Sequence, residues 1–338
     1  MTAAAAALYL TPSAVSQQLA ALEQEVGHQV LMREGRGVRL TAAGEILLRH
    51  SHTVLAQLEQ AQAELAAYAG GHAGEVTVAS FATGIAAIVA PAMRELGHRA
   101  PGIRLRVRDA EGDASLMLVL DGLADLAVAV EYRGAPGEDD LRLSRFPLYA
   151  EPFDAVLPRG HRLAGQPSVA VADLEYEPWI GPYPGNPCHD VVMLACETAG
   201  FQPRLAHSSD DFRAVAALAG AGAGVALVPR SALRGVELPD VVVLPVFGTP
   251  ATRRVFAAVR RGAQDHPLYR PVLDALRQAA ARAHLAHASA LAGRGPGSAK
   301  EPSGREADVA GEDTGEVGGV GVADARADGG DGKVGFGE

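Results

Sequence analysis

Between Thr11 and Gln18 the chain reads TPSAVSQQ, a run of hydroxyls and carboxamides without a charge. Ser and Gln side chains both donate and accept hydrogen bonds, which suits them to base edges in a DNA major groove and to the phosphate oxygens beside it. Helical spacing puts Val15, Leu19, Leu22 and Val26 on an inward face and leaves Ser13, Ser16, Gln17 and Ala20 outside, with Gln24 beyond. Further on, Arg33, Arg36 and Arg39 are interleaved with Gly35 and Gly37, a pattern for a tight hairpin whose guanidinium groups lie along a phosphate backbone. Ser and Gln alone fit the solvated face of a small helical hairpin better. The order of helix, turn, capped helix and Arg/Gly wing is what points to DNA. The candidate DNA contacts are Thr11, Pro12, Ser13, Ser16, Gln17, Gln18, Arg33, Arg36 and Arg39.

The elements that must hold these residues follow from local chemistry. Thr2 to Leu8 is an alanine-rich helix former, interrupted at Tyr9 and Leu10. Thr11 is a good N-cap, and Pro12 stands at the first helical position, where its missing N–H costs nothing. A long helix runs from Thr41 to Ala69, with Leu48, Leu55, Leu58, Leu65 and Ala69 as an apolar seam at heptad spacing. Gln62 interrupts this seam with a polar group. Its length and isolation favour pairing with a second copy, and Gly70, Gly71 and Gly74 then supply a hinge.

From Glu75 strands and helices alternate: VTVAS, a helix from Gly84 to His98, IRLRVRD, a helix from Ala114 to Gly122, and ADLAVAV. Such units call for a parallel sheet. A second half opens near Phe153 with DAVLP and EPWIG, continues with helices Cys188–Ala199 and Asp211–Gly220, and closes with GVALVP and VVVLPV. The strand RRVFAAVRR and a helix from Leu268 to Ala283 return to the first half. The fold class is α/β: a winged helix-turn-helix and linker helix, then two α/β lobes with a cleft between them. The expected divisions are 1–44, 45–74, 75–152 plus 246–283 for lobe I, 153–245 for lobe II, and a disordered acidic Gly-rich tail at 284–338.

Ligands of open α/β sheets sit at strand ends and helix starts. Ser80, Phe81, Ala82 and Thr83 end the first strand and open a helix, so hydroxyls and free N–H groups there would converge on an anion. Val130 and Glu131 end the third strand. Ile180 and Gly181, then Ser208, Ser209 and Asp210, then Val228 and Pro229, hold the matching positions of the second lobe. Each residue taken singly reads as an ordinary cap or turn. As a set they suit a small organic acid, while Asp210 and Glu131 equally suit a cation or a hydroxyl-rich ligand.

Composition limits the alternatives. With 338 residues and 48% apolar content, the chain can bury sizeable cores. Its longest apolar run, from Ala214 to Pro229, is broken by glycines and too short to span a bilayer, and TAAAAALYL lacks the basic flank of a signal peptide. A cytoplasmic protein follows. The net charge of −10 is unusual for a DNA-binding protein, and residues 1–69 set four arginines against six glutamates, so the DNA field must be local to the wing. There is no G-x-S-x-G elbow and no H-E-x-x-H, and the glycines of LAGAGAGVALV precede a strand, the reverse of a dinucleotide site. Neither an enzyme, a cofactor nor a metal site is expected. Cys188 and Cys196 fall on one helix about 12 Å apart by helical rise, too far for a disulfide while the helix stands.

AAAALYLTPSAVSQQLAALEQEVG followed by LMREGRGVRLTAAGEILL resembles the signature of LysR-type transcriptional regulators, and the similarity continues at lower specificity to about Ala283. The resemblance implies a sequence-specific DNA-binding regulator, dimeric through the linker helix and able to form a tetramer, with a periplasmic-binding-protein-like domain that holds a small-molecule effector. It also implies a further helix before the helix-turn-helix, and Met1 lies where that helix should have ended; either the start codon is placed too late or the chain is truncated, and the packing surface that Val15, Leu19 and Leu22 would otherwise lose favours the first. The family's peroxide-sensing branch rearranges a cysteine pair in this region; Cys196 before ETAG resembles its resolving position, while Cys188 is one residue out of step. The competing function is a cytoplasmic small-ligand-binding protein with a non-functional DNA-binding remnant.

Overall fold

In a computed structural model, residues 2–35, 37–70, 73–248 and 251–292 are described. Arg36, Gly71 and residues 293–338 of the expected tail lie outside them.

The N-terminal elements are helices α1 (Thr2–Ala7) and α2 (Pro12–Val26), strands β1 (Leu31–Glu34) and β2 (Gly37–Leu40), and helix α3 (Ala42–Tyr68). Tyr9, between α1 and α2, adopts φ 55°, a left-handed conformation that glycine takes at less cost. Thr11 caps α2 as expected, its hydroxyl accepting from the Ala14 N–H at 3.1 Å, and Gly27 ends the helix at φ 74°. The Glu23 carboxylate accepts from the N–H groups of Val30 and Leu31, which fixes the approach to the wing. Thr41 then caps α3 through the Gly44 N–H while its hydroxyl donates to the Gln29 carbonyl. A Cβ on Gly44 would lie 2.1 Å from the Val30 carbonyl oxygen, so this junction admits only glycine.

Behind α3 come β3 (Gly74–Ser80), the helical run α4 (Ala82–Gly84) with a π-turn at Ile85–Val89 and α5 (Ala90–Arg99), β4 (Ile103–Asp109), α6 (Gly112–Leu120) and β5 (Leu126–Val130). The helical run starts two residues before Gly84, and its π-turn precedes Pro91, whose missing N–H cannot close an ordinary helical bond. The sixteen-residue β6 (Leu143–Pro158) follows. Next are β7 (Val169–Ala170), β8 (Pro178–Gly181), α7 (Pro187–Thr198), β9 (Arg204–Ser208), α8 (Phe212–Gly220), β10 (Ala226–Pro229), β11 (Val241–Phe247), β12 (Thr252–Arg260) and α9 (Tyr269–Ala292). Helix α9 outruns its expected end at Ala283 because no Gly or Pro intervenes before Gly293, so residues 284–292 are helix rather than tail.

The main sheet runs β4-β3-β5-β12-β6-β11-β7, with β10 also on β6, and β8 pairs with β9 in a separate parallel ribbon. Strands β4, β3 and β5 are parallel, whereas β12 is antiparallel to both β5 and β6. From Leu143 to Pro152, β6 pairs with β12, and from Phe153 onward it pairs with β10 and β11. It is thus a strand of both lobes. Two apolar cores face the lobe I sheet, one around Val78, Ile88, Val255 and Leu276 and one around Leu116, Ala127 and Phe256, while lobe II has its own around Phe153, Trp179 and Leu227.

Candidate functional site

On α2, Val15 is buried, Leu19 and Leu22 are half-buried, and Ser13, Ser16, Gln17 and Gln18 are exposed. Thr11 and Pro12 are exposed at its start, and Ser16 donates its proton to the Pro12 carbonyl, leaving its oxygen lone pairs outward. Val26 departs from the expected inward face: it is 36% exposed, because six-residue α1 does not reach the far end of α2. In the wing, Met32 pairs with Arg39 and Arg33 with Val38, so Arg33 and Arg39 stand on opposite faces of the ribbon. Arg39 is engaged by Glu34 at 3.3 Å. The two arginines cannot grip one phosphate strand from a common face.

At the junction of the lobes lies a group centred on a residue that no sequence motif marks. Arg253, at the start of β12, is 2% exposed. Its Nε donates to Glu151 at 2.7 Å, and Nη2 donates to the Thr83 hydroxyl at 2.9 Å and to Ser231 at 3.4 Å. Its Nη1 meets the sulfur of Cys188 at 3.7 Å, and the guanidinium carbon lies 5.0 Å from the centre of the Phe81 ring. Burial works against the charged guanidinium, but Glu151 and then Cys188 and Tyr149 more than offset it, so the arginine stays ionised. Thr83 and Phe81 belong to lobe I and Cys188 and Ser231 to lobe II. One buried cation therefore holds both. Gly112, at φ 55°, brings α6 against α7: a Cβ there would be 3.5 Å from Pro187.

The other expected residues divide. Ser80 is fully buried and its hydroxyl turns to the Phe81 carbonyl, beneath Gly84. The N–H of Ala82 is met by the Glu111 carboxylate; Glu111 keeps an exposed surface, yet enough protein surrounds its carboxyl for burial to raise its pKa, with Asp109 and Asp210 adding to the rise and Arg253 opposing it. Asp210 accepts from the Tyr183 N–H at 3.0 Å, and Ser209 donates its N–H to Gly181, so Gly181, Ser208, Ser209 and Asp210 build the loop edge of lobe II. Ile180, Val228 and Pro229 are buried, the last two paired with Asp154 and Phe153 in the sheet. Val130 is buried against Val255, and Glu131 opens with Arg145 and Arg254 onto a lobe I groove that no lobe II residue lines. The arrangement unites Phe81 and Thr83 with Arg253, Glu151, Cys188 and Ser231, and leaves Glu131 apart.

A signal for the missed pair was present. Arg253 is in phase with the buried Val255, Ala257 and Val259, and Glu151 with Phe153, Ala155 and Leu157. A charge at an inward strand position needs an opposite charge beside it.

Comparison with known proteins finds two matching regions. Residues 1–45 match the family model "Bacterial regulatory helix-turn-helix protein, lysR family", and residues 69–281 match "LysR substrate binding domain". The regulator AlsR of Bacillus subtilis is 29% identical over 237 residues, 68% of this chain and 75% of AlsR. A probable hydrogen peroxide-inducible genes activator of Mycobacterium avium is 32% identical over 267 residues, 76% of this chain and 82% of its own. Among solved structures, a cysteine mutant of OxyR from Corynebacterium glutamicum superposes with a TM-score of 0.58 at 25% identity, over 85% of this chain and 90% of that one. With its helix-turn-helix, its two-lobed effector domain and these relatives, the chain belongs to the LysR family of DNA-binding transcriptional regulators.

Proposed function

We propose that this regulator acts in the cytoplasm as a homodimer joined along α3, reads a dyad-symmetric DNA site with Ser13, Ser16, Gln17 and Gln18, and changes its hold on that site when a small organic acid enters between the lobes. The described residues include no helix long and apolar enough to cross a membrane. Leu48, Leu55, Leu58 and Leu65 stand 42%, 57%, 56% and 68% exposed in the single chain, as a seam awaiting a second copy would. Lobe I is taken as 75–152 with 246–283 and lobe II as 153–245.

The observation behind the effector assignment is the state of Arg253. Its Nη1 faces a thiol, a weak acceptor, while its other donors have carboxylate and hydroxyl oxygens. A ligand carboxylate replacing that sulfur contact would gain a charge-assisted bond and share Thr83 with the arginine. A redox reading is less well supported: burial raises the pKa of Cys188 to about 11 and that of Cys196 to about 12. A thiol kept protonated is a poor peroxide nucleophile.

The test is thermal unfolding of the full chain against a panel of small carboxylic acids. One acid should raise the melting temperature by mass action, and Thr83→Val should remove that rise while lowering the unliganded midpoint by only about 2–4 °C, the loss of its one bond to Arg253. If cationic or uncharged ligands alone raise it, the organic-acid assignment is wrong; a large drop in the unliganded midpoint would make Thr83 a structural group instead.

A further inference from the structure

Around the buried floor formed by Arg253, the rim of the inter-lobe site is acidic. Glu111, just ahead of α6, accepts from the Ala82 N–H and stays exposed, and the charges that bear on it are Arg253, Asp109 at the end of β4, and Asp210 on the loop edge of lobe II. Asp109 and Asp210 are exposed as well. Carboxylates from both lobes thus face a single guanidinium whose charge Glu151 already matches through Nε at 2.7 Å. A ligand carrying negative charge alone would have to pass an uncompensated acidic rim to reach the floor.

The floor makes a separate demand. The Tyr149 oxygen is buried beside Arg253, and burial, with the Glu151 charge, keeps the phenol protonated. A guanidinium can only donate, so the phenol's proton has no acceptor among the described residues. Arg253 Nη1 meets only the weak acceptor Cys188, at 3.7 Å. Two donors at one guanidinium therefore lack an oxygen, and a carboxylate brings two.

We infer that the effector is an α-amino acid, with its carboxylate on Arg253, Thr83 and Tyr149 and its ammonium on Glu111, between Asp109 and Asp210. The inference rests on the organic-acid reading above and narrows it. Glu111 meets the backbone at Ala82 and Arg253 meets Thr83; these adjacent residues have Cα atoms about 3.8 Å apart, a span that a carboxylate and an ammonium on one carbon can bridge. The ammonium turns the repulsion at the rim into pairing, and its three donors find lone pairs on Glu111 and Asp210 beyond those already used by the N–H groups of Ala82 and Tyr183. Glu111 belongs to lobe I and Asp210 to lobe II. The ammonium would link the lobes at the mouth of the site as Arg253 links them at its floor.

Isothermal titration of the full chain with a panel of common L-amino acids, each beside the 2-hydroxy acid of the same side chain, tests this. At least one amino acid should bind about tenfold or more tightly than its 2-hydroxy counterpart, the worth of a charged hydrogen bond. For that pair Glu111→Gln, whose amide oxygen can still accept from Ala82, should remove most of the difference by weakening the amino acid alone. Tyr149→Phe should weaken both members by the same factor, because the carboxylate is common to them. Binding by acids without an amino group, alone or as tightly as by amino acids, would overturn the inference while leaving the organic-acid reading in place, and so would a Glu111→Gln chain that binds amino acids undiminished. If neither this panel nor the carboxylic acids of the unfolding test bind, the organic-acid reading itself falls.

Discussion

Replacing Arg253 by methionine keeps much of the side chain's length and removes its charge. Glu151 then keeps the Ser231 N–H at 3.0 Å and the Ser231 hydroxyl, but loses the guanidinium it pairs with in a site where the two side chains are 1% and 3% exposed. Removing one member of a buried ion pair costs about 3–5 kcal/mol. The Thr83 hydroxyl also loses its donor, at about 1 kcal/mol. Against a total stability of about 5–15 kcal/mol this is a large fraction. The double variant Arg253→Met with Glu151→Leu should recover most of the loss, because an apolar pair of similar volume is often no worse than the ion pair, and the cycle should give a coupling of about 2–3 kcal/mol. Urea unfolding followed by fluorescence is a clean assay. Trp179, the only tryptophan in the sequence, is fully buried in lobe II with its indole N–H on the Leu174 carbonyl. A single variant costing under about 1 kcal/mol, or costs that simply add in the double variant, would refute the account of Arg253 as a charge held by Glu151.

Three further outcomes are expected. Gln17→Ala should cost about 1–3 kcal/mol on the cognate duplex and little on scrambled DNA, whereas Arg33→Ala should weaken both and flatten the salt slope by roughly one unit; equal losses for Gln17→Ala on both duplexes would make it a backbone contact. Burial holds the thiols of Cys188 and Cys196 up to about 11 and 12, so at pH 7 about one Cys188 in ten thousand is thiolate, and a thiol reagent should react only as fast as the chain opens. Because the folded thiols keep protons that the unfolded chain starts to release near pH 8.5, their contribution to stability is complete below that pH and declines above it; a urea midpoint that rises from pH 8 to 10 would contradict the sign. Gly262→Ala should detach α3 from lobe I, since the new methyl would meet the Ala56 carbonyl and the residue sits at φ 94°; unchanged hydrogen exchange around Ala56 and Ala63 would show the contact to be dispensable.

The DNA-binding half was readable because its punctuation is local. Thr11, Pro12, Gly27 and Thr41 act within a few residues of themselves, and each does in the structure what its chemistry requires. The ordering of Arg33 and Arg39 was less readable, since the spacing of arginines does not say which face of a ribbon each takes until the register is known. The first ten residues of β6 were missed because Pro147 and Pro152 argue against a strand; Pro147 is tolerated beside the bulge opposite Val255 and Phe256. The cleft was legible as a location and not as a composition. Ser80 to Thr83 do open a helix at a strand end, but Arg253 and Glu151 come from strands 102 residues apart in sequence, and only the pairing of β6 with β12 brings them to one point.

Strand β6 has a consequence for how the effector domain comes apart. Its first ten residues are pinned to β12 and its last six lie between β10 and β11, with Phe153, Ala155, Val156 and Leu157 in the core of lobe II. Melting lobe II alone would bare those side chains on a strand still held in lobe I, and melting lobe I alone would strip Leu143 to Pro152 from a strand still anchored in lobe II. Each partial state keeps the ordering cost of a shared strand and forfeits half of the contacts that offset it. The two lobes are thereby bound into one cooperative unit, in which a ligand that steadies either of them steadies both.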